Sequence, residues 1–305
     1  MNPVVKDILF KVADLTEIPT GAYNIRVDGQ SIGRQSSETI EITPKEDVSG
    51  IDIRIRPGTK NETVYIPVVV KSSGLSDLVY NDFYIGEDCD VEIIAGCGIH
   101  NDGCNEARHD GIHTFYVGKN ARVSYVEKHY GDGEGGGSRN LNPVTQVFLD
   151  EGGYLEMETV QIEGVDSTVR VTRGKLHKNS TLIVRERLLT SGSQTARTEF
   201  AVELDGEGSK TNLISRSVAK GSSSQEFISK IDGNNACYGH SECDAIIMDN
   251  ASVKAIPEIS ANHVEASLIH EAAIGKIAGE QITKLMTLGL NQTEAETQIV
   301  NGFLK

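Results

Sequence analysis

The chain has 305 residues, of which 24% are charged and 38% hydrophobic, with 31 glycines and no tryptophan. That is enough to bury a substantial core, and the glycine count fits many short turns better than long packed helices. A formal net charge of −15 speaks against a non-specific nucleic-acid binder or a protein held on anionic lipid, since either needs clustered positive charge, and favours cations or metals as partners.

In chain order, "MNPVVKDILFKVADL" places Val4, Val5, Ile8, Leu9, Val12 and Leu15 at helical spacing, while Asp7, Lys11 and Asp14 interrupt the apolar run. The pattern predicts an amphipathic helix rather than a signal peptide. Residues 1–47 are read as this helix and lead-in strands. No apolar stretch is long enough to span a bilayer, and five cysteines at 89, 97, 104, 237 and 243 lack the spacing of a disulfide scaffold. Free thiols in a reducing cytoplasm are the expectation.

From about 48 to 262 a turn rich in Gly, Asn, Asp or Ser is followed repeatedly by a short alternating strand, as in "GEDCDVEII", "GKNARVSYV", "HKNSTLIVRERL" and "GEGSKTNLISRSV". In "TLIVRERLLT" the alternation buries Leu182, Val184 and Leu188 and turns Arg185 and Arg187 outward. A β-sandwich and a β-solenoid both fit. Tight hairpin signals such as Asn-Gly are scarce, which favours a parallel β-helix with coils of uneven length and ends that need capping.

Within this region "CGIHNDGCNEARHDGIH" gathers Cys97, His100, Cys104, His109 and His113. Their spacing resembles that of metal ligands without matching a zinc finger. Either they bind metal, or they form a polar loop whose histidines bond to backbone. "GDGEGGGSRN" (131–140) lacks the Gly-Lys-Ser/Thr ending of a phosphate loop and reads as a flexible surface loop. No G-x-S-x-G elbow or local Ser-His-Asp set supports nucleophilic hydrolysis.

"GHSECDAIIMDN" (239–250) puts His240, Glu242 and Asp244 on one side of an extended chain and Ser241, Cys243 and Ala245 on the other. Cys243 is then a buried structural thiol or a ligand. Further on, His270 and Glu271 are expected where the last strand gives way to a helix, with Ile274, Ile277, Ala278, Ile282, Leu285 and Met286 on its apolar stripe. A second helix starts at Asn291, with Glu294 three residues on, and its apolar face carries Ala295, Ile299, Val300 and Phe303. Residues 263–305 thus read as a C-terminal helical domain, which either covers the solenoid end or docks another protein.

The C-terminal run from "NNACYGHSECDAII" through Ile-Pro-Glu, "HEAAIGKI" and "TEAETQIVNGF" closely resembles the SufB/SufD family of iron–sulfur cluster assembly proteins. Weaker similarity reaches back through "GIHTFYVGKNARVSYVEKHYG". The resemblance implies a right-handed parallel β-helix with a C-terminal helical domain, pairing with a second such chain. It also implies a SufC-like ABC ATPase bound through the C-terminal helices, for which Ile282, Leu285, Ile299 and Phe303 are the candidate contacts. A transient Fe–S cluster, later passed to acceptor proteins, would form at the interface. Cys243 corresponds to the family's interface cysteine, expected to point toward the partner chain, and Glu271 with His270 to its non-cysteine ligand. The chain is short for a SufB, so a cytoplasmic homodimer is expected. Where longer SufB proteins carry a sulfur-accepting cysteine, "YVEKHYG" has Lys128 and His129, which leaves Cys97, Cys104 or free sulfide as the sulfur route. Two other readings stay open: a metalloenzyme using the upstream Cys/His cluster on a β-solenoid, and a structural adaptor with inert cysteines.

Overall fold

The computed structural model describes residues 2–305. Helix α1 (Pro3–Ala13) is followed by β1 (Ala22–Val27), β2 (Gln30–Gln35), β3 (Ile40–Pro44) and β4 (Gly50–Ile55). The coils proceed through β5 (Lys60–Val70), β6 (Ser76–Ile85), β7 (Asp90–His100), β8 (Ala107–Val117) and β9 (Arg122–Asp132). A broken strand, β10 (Arg139–Leu141) and β11 (Val144–Leu149), leads to β12 (Tyr154–Glu163), β13 (Ser167–Leu176), β14 (Thr181–Thr190) and β15 (Thr195–Leu204). The last coils are β16 (Lys210–Ala219), β17 (Ser224–Gly233), β18 (Tyr238–Ile247), β19 (Ser252–Ala261) and β20 (Ser267–Gly275), before α2 (Gly279–Thr287) and α3 (Gln292–Phe303).

Two ten-stranded sheets face each other, one ordered β2-β1-β5-β7-β9-β12-β14-β16-β18-β20 and the other running from β19 through the odd and then even strands to β4 and β3. The chain alternates between them and makes a mainly β solenoid of about eight turns, as expected. Apart from the antiparallel pairs β1–β2 and β3–β4 at the N-terminal end, the ladders are parallel. Alternate residues therefore fall into columns that run from coil to coil on the inner face.

The corners explain two cysteines. Asp88, Asn120 and Asn179 take φ values of 55°, 53° and 55°, a left-handed conformation that Asn and Asp tolerate. The next residue points inward and is small: Cys89, Ala121, Ser180, and in later coils Ser209 and Cys237. The Ser180 and Ser209 hydroxyls and the Cys89 thiol each donate to a turn carbonyl. Cys89 and Cys237 thus fill a structural slot that serine fills elsewhere.

Three sequence expectations change. The glycine-rich run is not a free loop: Asn101 and Gly103 carbonyls accept from Gly135 and Gly137, so it lies flat on the preceding turn. The segment expected to begin the first C-terminal helix is β20, because Leu268, His270, Ala272 and Ile274 also satisfy a two-residue period and β18 offers them a free edge. The helices, finally, do not close the solenoid. Val300, Leu304 and Phe303 of the last helix and tail pack against Leu189, Val218 and Ile246, one outward residue from each of three consecutive strands. The β19–β20 end stays open, with Ile259 44% and Ile274 38% exposed although both occupy inner columns.

Candidate functional site

Helix α1 begins with Pro3 behind an Asn2 cap and lies on the outer face of β5, β7 and β9. Gly96 and Gly98 allow the approach: a Cβ at Gly98 would stand 2.1 Å from Ile8 Cγ2, and one at Gly96 2.4 Å from the Val12 carbonyl oxygen. The residue between them, Cys97, points inward.

Inside the solenoid Cys97 follows Val68 in a column that continues as His129 and Gln161, and a neighbouring column runs Glu127, Thr159, Glu186, Ser215, Cys243. These groups are buried. Arg170 reaches across from the opposite sheet to pair with Glu127 and, at 3.5 Å, with Glu186. Its guanidinium also lies 3.1 Å from His129 Nδ1. Thr198 and Ser215 donate to Glu186 at 2.7 and 2.8 Å. A buried charge is tolerable only when paired and hydrogen-bonded, and each carboxylate here is both.

Beside Cys97 stands His109, whose Nδ1 is 3.2 Å from Asp77, itself held by both ends of the Arg26 guanidinium at 2.7 and 2.9 Å. Burial pushes the Cys97 thiol up, but His109 and then His129 outweigh it and bring it down to about 7. Burial lowers His109, and pairing with Cys97 and Asp77 overcomes that to reach about 10. Near neutral pH the Cys97 thiol thus stands close to its midpoint beside an imidazolium that favours the thiolate.

The upstream Cys/His set does not converge. His113 also faces inward, but its nitrogens are engaged by Tyr125 at 2.9 Å and Asn81 at 3.3 Å, and burial takes it down to about 4. His100 turns instead to Asp102 and Asp132, and Cys104 is exposed on the following turn.

At the open end the pairing of β18 with β20 sorts the downstream residues by face. Cys243 is in register with Ala272, and Ser241 with His270, so Cys243 and His270 are diagonal neighbours on the inner face. Cys243 is 1% exposed and points into the solenoid, not outward toward a partner, because the alternation that sends His240, Glu242 and Asp244 to solvent sends it inside. Burial first, then Glu186 and Asp244, push its thiol up to about 12. His270 Nδ1 is buried and has no hydrogen-bond partner, and burial followed by His240 lowers its pKa, so the imidazole is neutral and free to ligate.

Glu271 lies on the other side of the sheet. It faces Glu242 in register, and His240 Nε2 is 3.4 Å from its carboxylate. His240, Glu242 and Glu271 each offer a ligand atom within 4.8 Å of the others, the one such His/Cys/Asp/Glu group among the described residues. Of the candidate ATPase contacts, Ile282, Leu285, Ile299 and Phe303 are half-buried, while Met286 and Leu288 are exposed, the latter by 75%.

Sequence reasoning left out Glu127, Arg170, Glu186 and Asp77. The signal was present: the alternation that turns Arg185 and Arg187 outward turns Glu186, between them, inward.

Residues 100–242 and 232–303 match the family described as SUF system FeS cluster assembly, SufBD core domain. The chain belongs to the SufBD family. It is 29% identical over 273 residues to an iron-sulfur cluster assembly SufBD family protein of Archaeoglobus fulgidus, covering 89% of this chain and 72% of that one. A SufBD family protein of Methanocaldococcus jannaschii is 28% identical over 91% of this chain and 88% of its own length. A chloroplastic SufBD family protein of Arabidopsis thaliana is 25% identical over 70% of this chain and 40% of its own. SufBD membership implies a role in Fe–S cluster assembly. No described helix is long and apolar enough to cross a membrane.

Proposed function

We propose that this SufBD protein is a non-enzymatic scaffold on which a nascent Fe–S cluster forms at the open end of the solenoid, between two copies of the chain. The observation that carries the reading is the placement of Cys243 beside the His270 imidazole, whose buried Nδ1 has no hydrogen-bond partner, one strand from an unpaired edge. A thiolate holds iron firmly and an imidazole less so, a mixture suited to a cluster that must be released. The free edges of β19 and β20, bordered by Ile256, Ile259, Ile269 and Ile274, suit pairing with a second copy.

A thiol held near 12 is a poor ligand, so the resting state is closed. Opening is the work we assign to a SufC-like ABC ATPase bound at α2 and α3, with Met286 and Leu288 as its exposed apolar contacts. For sulfur we favour Cys97, whose thiolate is stabilised by His109 and His129, over the exposed Cys104. The buried thiolate–imidazolium pair supports a sulfur-accepting role better than the metalloenzyme reading, because the upstream residues face three different ways.

Anaerobic reconstitution with ferrous iron and sulfide, followed by absorbance and Mössbauer spectroscopy, tests the scaffold. Cys243→Ala is expected to lose the cluster and His270→Ala to hold it weakly. A cluster unchanged in both variants would overturn the assignment.

A further inference from the structure

We propose that His240, Glu242 and Glu271 form a receiving site for ferrous iron on the outer face of the solenoid wall, separate from the inner thiol. The inference rests on the scaffold reading for the identity of the metal, and on geometry for the site.

Three features make the group a ligand set. First, the Asn212 side-chain oxygen lies 2.9 Å from His240 Nδ1 and accepts from it, which directs Nε2 to within 3.4 Å of the Glu271 carboxylate. Metal-binding histidines are commonly oriented in this way by an outer partner. Second, Glu242 and Glu271 are register partners on adjacent strands, a like-charge juxtaposition that costs stability unless a cation joins it. The Arg216 guanidinium stands 4.0 Å from Glu242, at the limit of an ion pair. Third, the donors converge within 4.8 Å without any change of backbone.

One imidazole and two carboxylates form a borderline-to-hard donor set, suited to Fe(II), Mn(II) or Zn(II) and unsuited to holding a sulfide-bridged cluster. The outer site therefore receives iron before sulfide meets it. Glu271 and His270 are consecutive residues on opposite faces of the last strand, whose far edge is unpaired. Before a second copy pairs with that edge, iron moves around it from the outer set to the inner one and need not pass through the sheet.

The test is anaerobic titration of the metal-free full chain with cobalt(II) alone, followed by calorimetry and visible absorption. The expected result is a single cobalt per chain without thiolate-to-cobalt charge transfer. His240→Asn and Glu242→Gln should each weaken binding about tenfold or more, while Cys243→Ala and His270→Ala leave it unchanged. Both weakening substitutions sit on the solvent face, and circular dichroism verifies the fold. Unchanged affinity in the His240→Asn/Glu242→Gln double variant, or a thiolate band that disappears with Cys243→Ala, would overturn the site. Cluster retention in Cys243→Ala would instead sink the scaffold reading and leave the cobalt result to judge the outer site alone.

Discussion

Cys97 and Cys243 are the same side chain in opposite electrostatic settings. Next to Cys97 stand two imidazoles, and its thiol comes down to about 7; Cys243 has no such partner, and burial with the charge of Glu186, two strands along its column, and of Asp244, on the outer face, takes it to about 12. The folded Cys97 value lies below the 9.0 of a free thiol, so its stabilising contribution is complete above pH 9.0 and is lost as pH falls through about 7. His109 is raised above 6.5, so its contribution is complete below that pH and is lost as pH rises through about 10. In a variant with the other four cysteines replaced by serine or alanine, thiolate absorbance should titrate with a midpoint near 7, and His109→Gln should move that midpoint upward. A midpoint unmoved by His109→Gln would show that His109 does not stabilise the thiolate. The sequence made the separation of Cys243 from His240 and Glu242 legible, because strand alternation requires it. It did not reveal which face was inside, since Ser-Cys-Ala and His-Glu-Asp sets both occur on interior columns here.

Among the elements, the glycine run 131–137 shows how close backbone contact substitutes for side-chain packing. A Cβ at Gly137 would stand 2.0 Å from the Asn105 carbonyl oxygen, and that oxygen belongs to backbone with little room to move. Gly137→Ala should therefore destabilise by roughly 2–3 kcal/mol, whereas Gly136→Ala, with nothing within 4 Å, should be nearly neutral. Urea midpoints of the two variants decide the matter, and equal midpoints would contradict the packing. The run's glycine content was plain in the sequence, but a turn laid against another turn more than thirty residues away leaves no local signature. The same limit explains β20. Its alternation and its helical spacing coincide over nine residues, and only the waiting edge of β18 selects the strand.

For the whole molecule, the repeated turn-and-strand pattern and the scarcity of hairpin signals were sufficient to anticipate a solenoid, because each coil is a local unit that stacks on its neighbour. The fate of the ends was not legible in this way. Capping depends on where the terminal helices dock, and the α3 stripe is as compatible with the side wall as with the end. In a stack of nearest-neighbour units the uncovered coil is the least stable. Hydrogen exchange should accordingly find β19 and β20 less protected than β14 and β16, with protection of the last coil rising at protein concentrations that favour self-association. Uniform protection along the solenoid would contradict both the open end and its proposed pairing.

The seat of α3 has a mechanical consequence. Leu189, Val218 and Ile246 lie in line across three rungs, and all three are gripped by one helix and its tail. A pull on that helix loads three rungs together in shear, a geometry that resists peeling them one by one. The terminal rung, carrying His270 and Glu271, has only the bare Gly275 in line with these residues and reaches the cluster through Ile277, two residues past its end. Torque delivered at the helices would therefore turn the shaft as a rigid body and leave the outermost rung as the compliant joint.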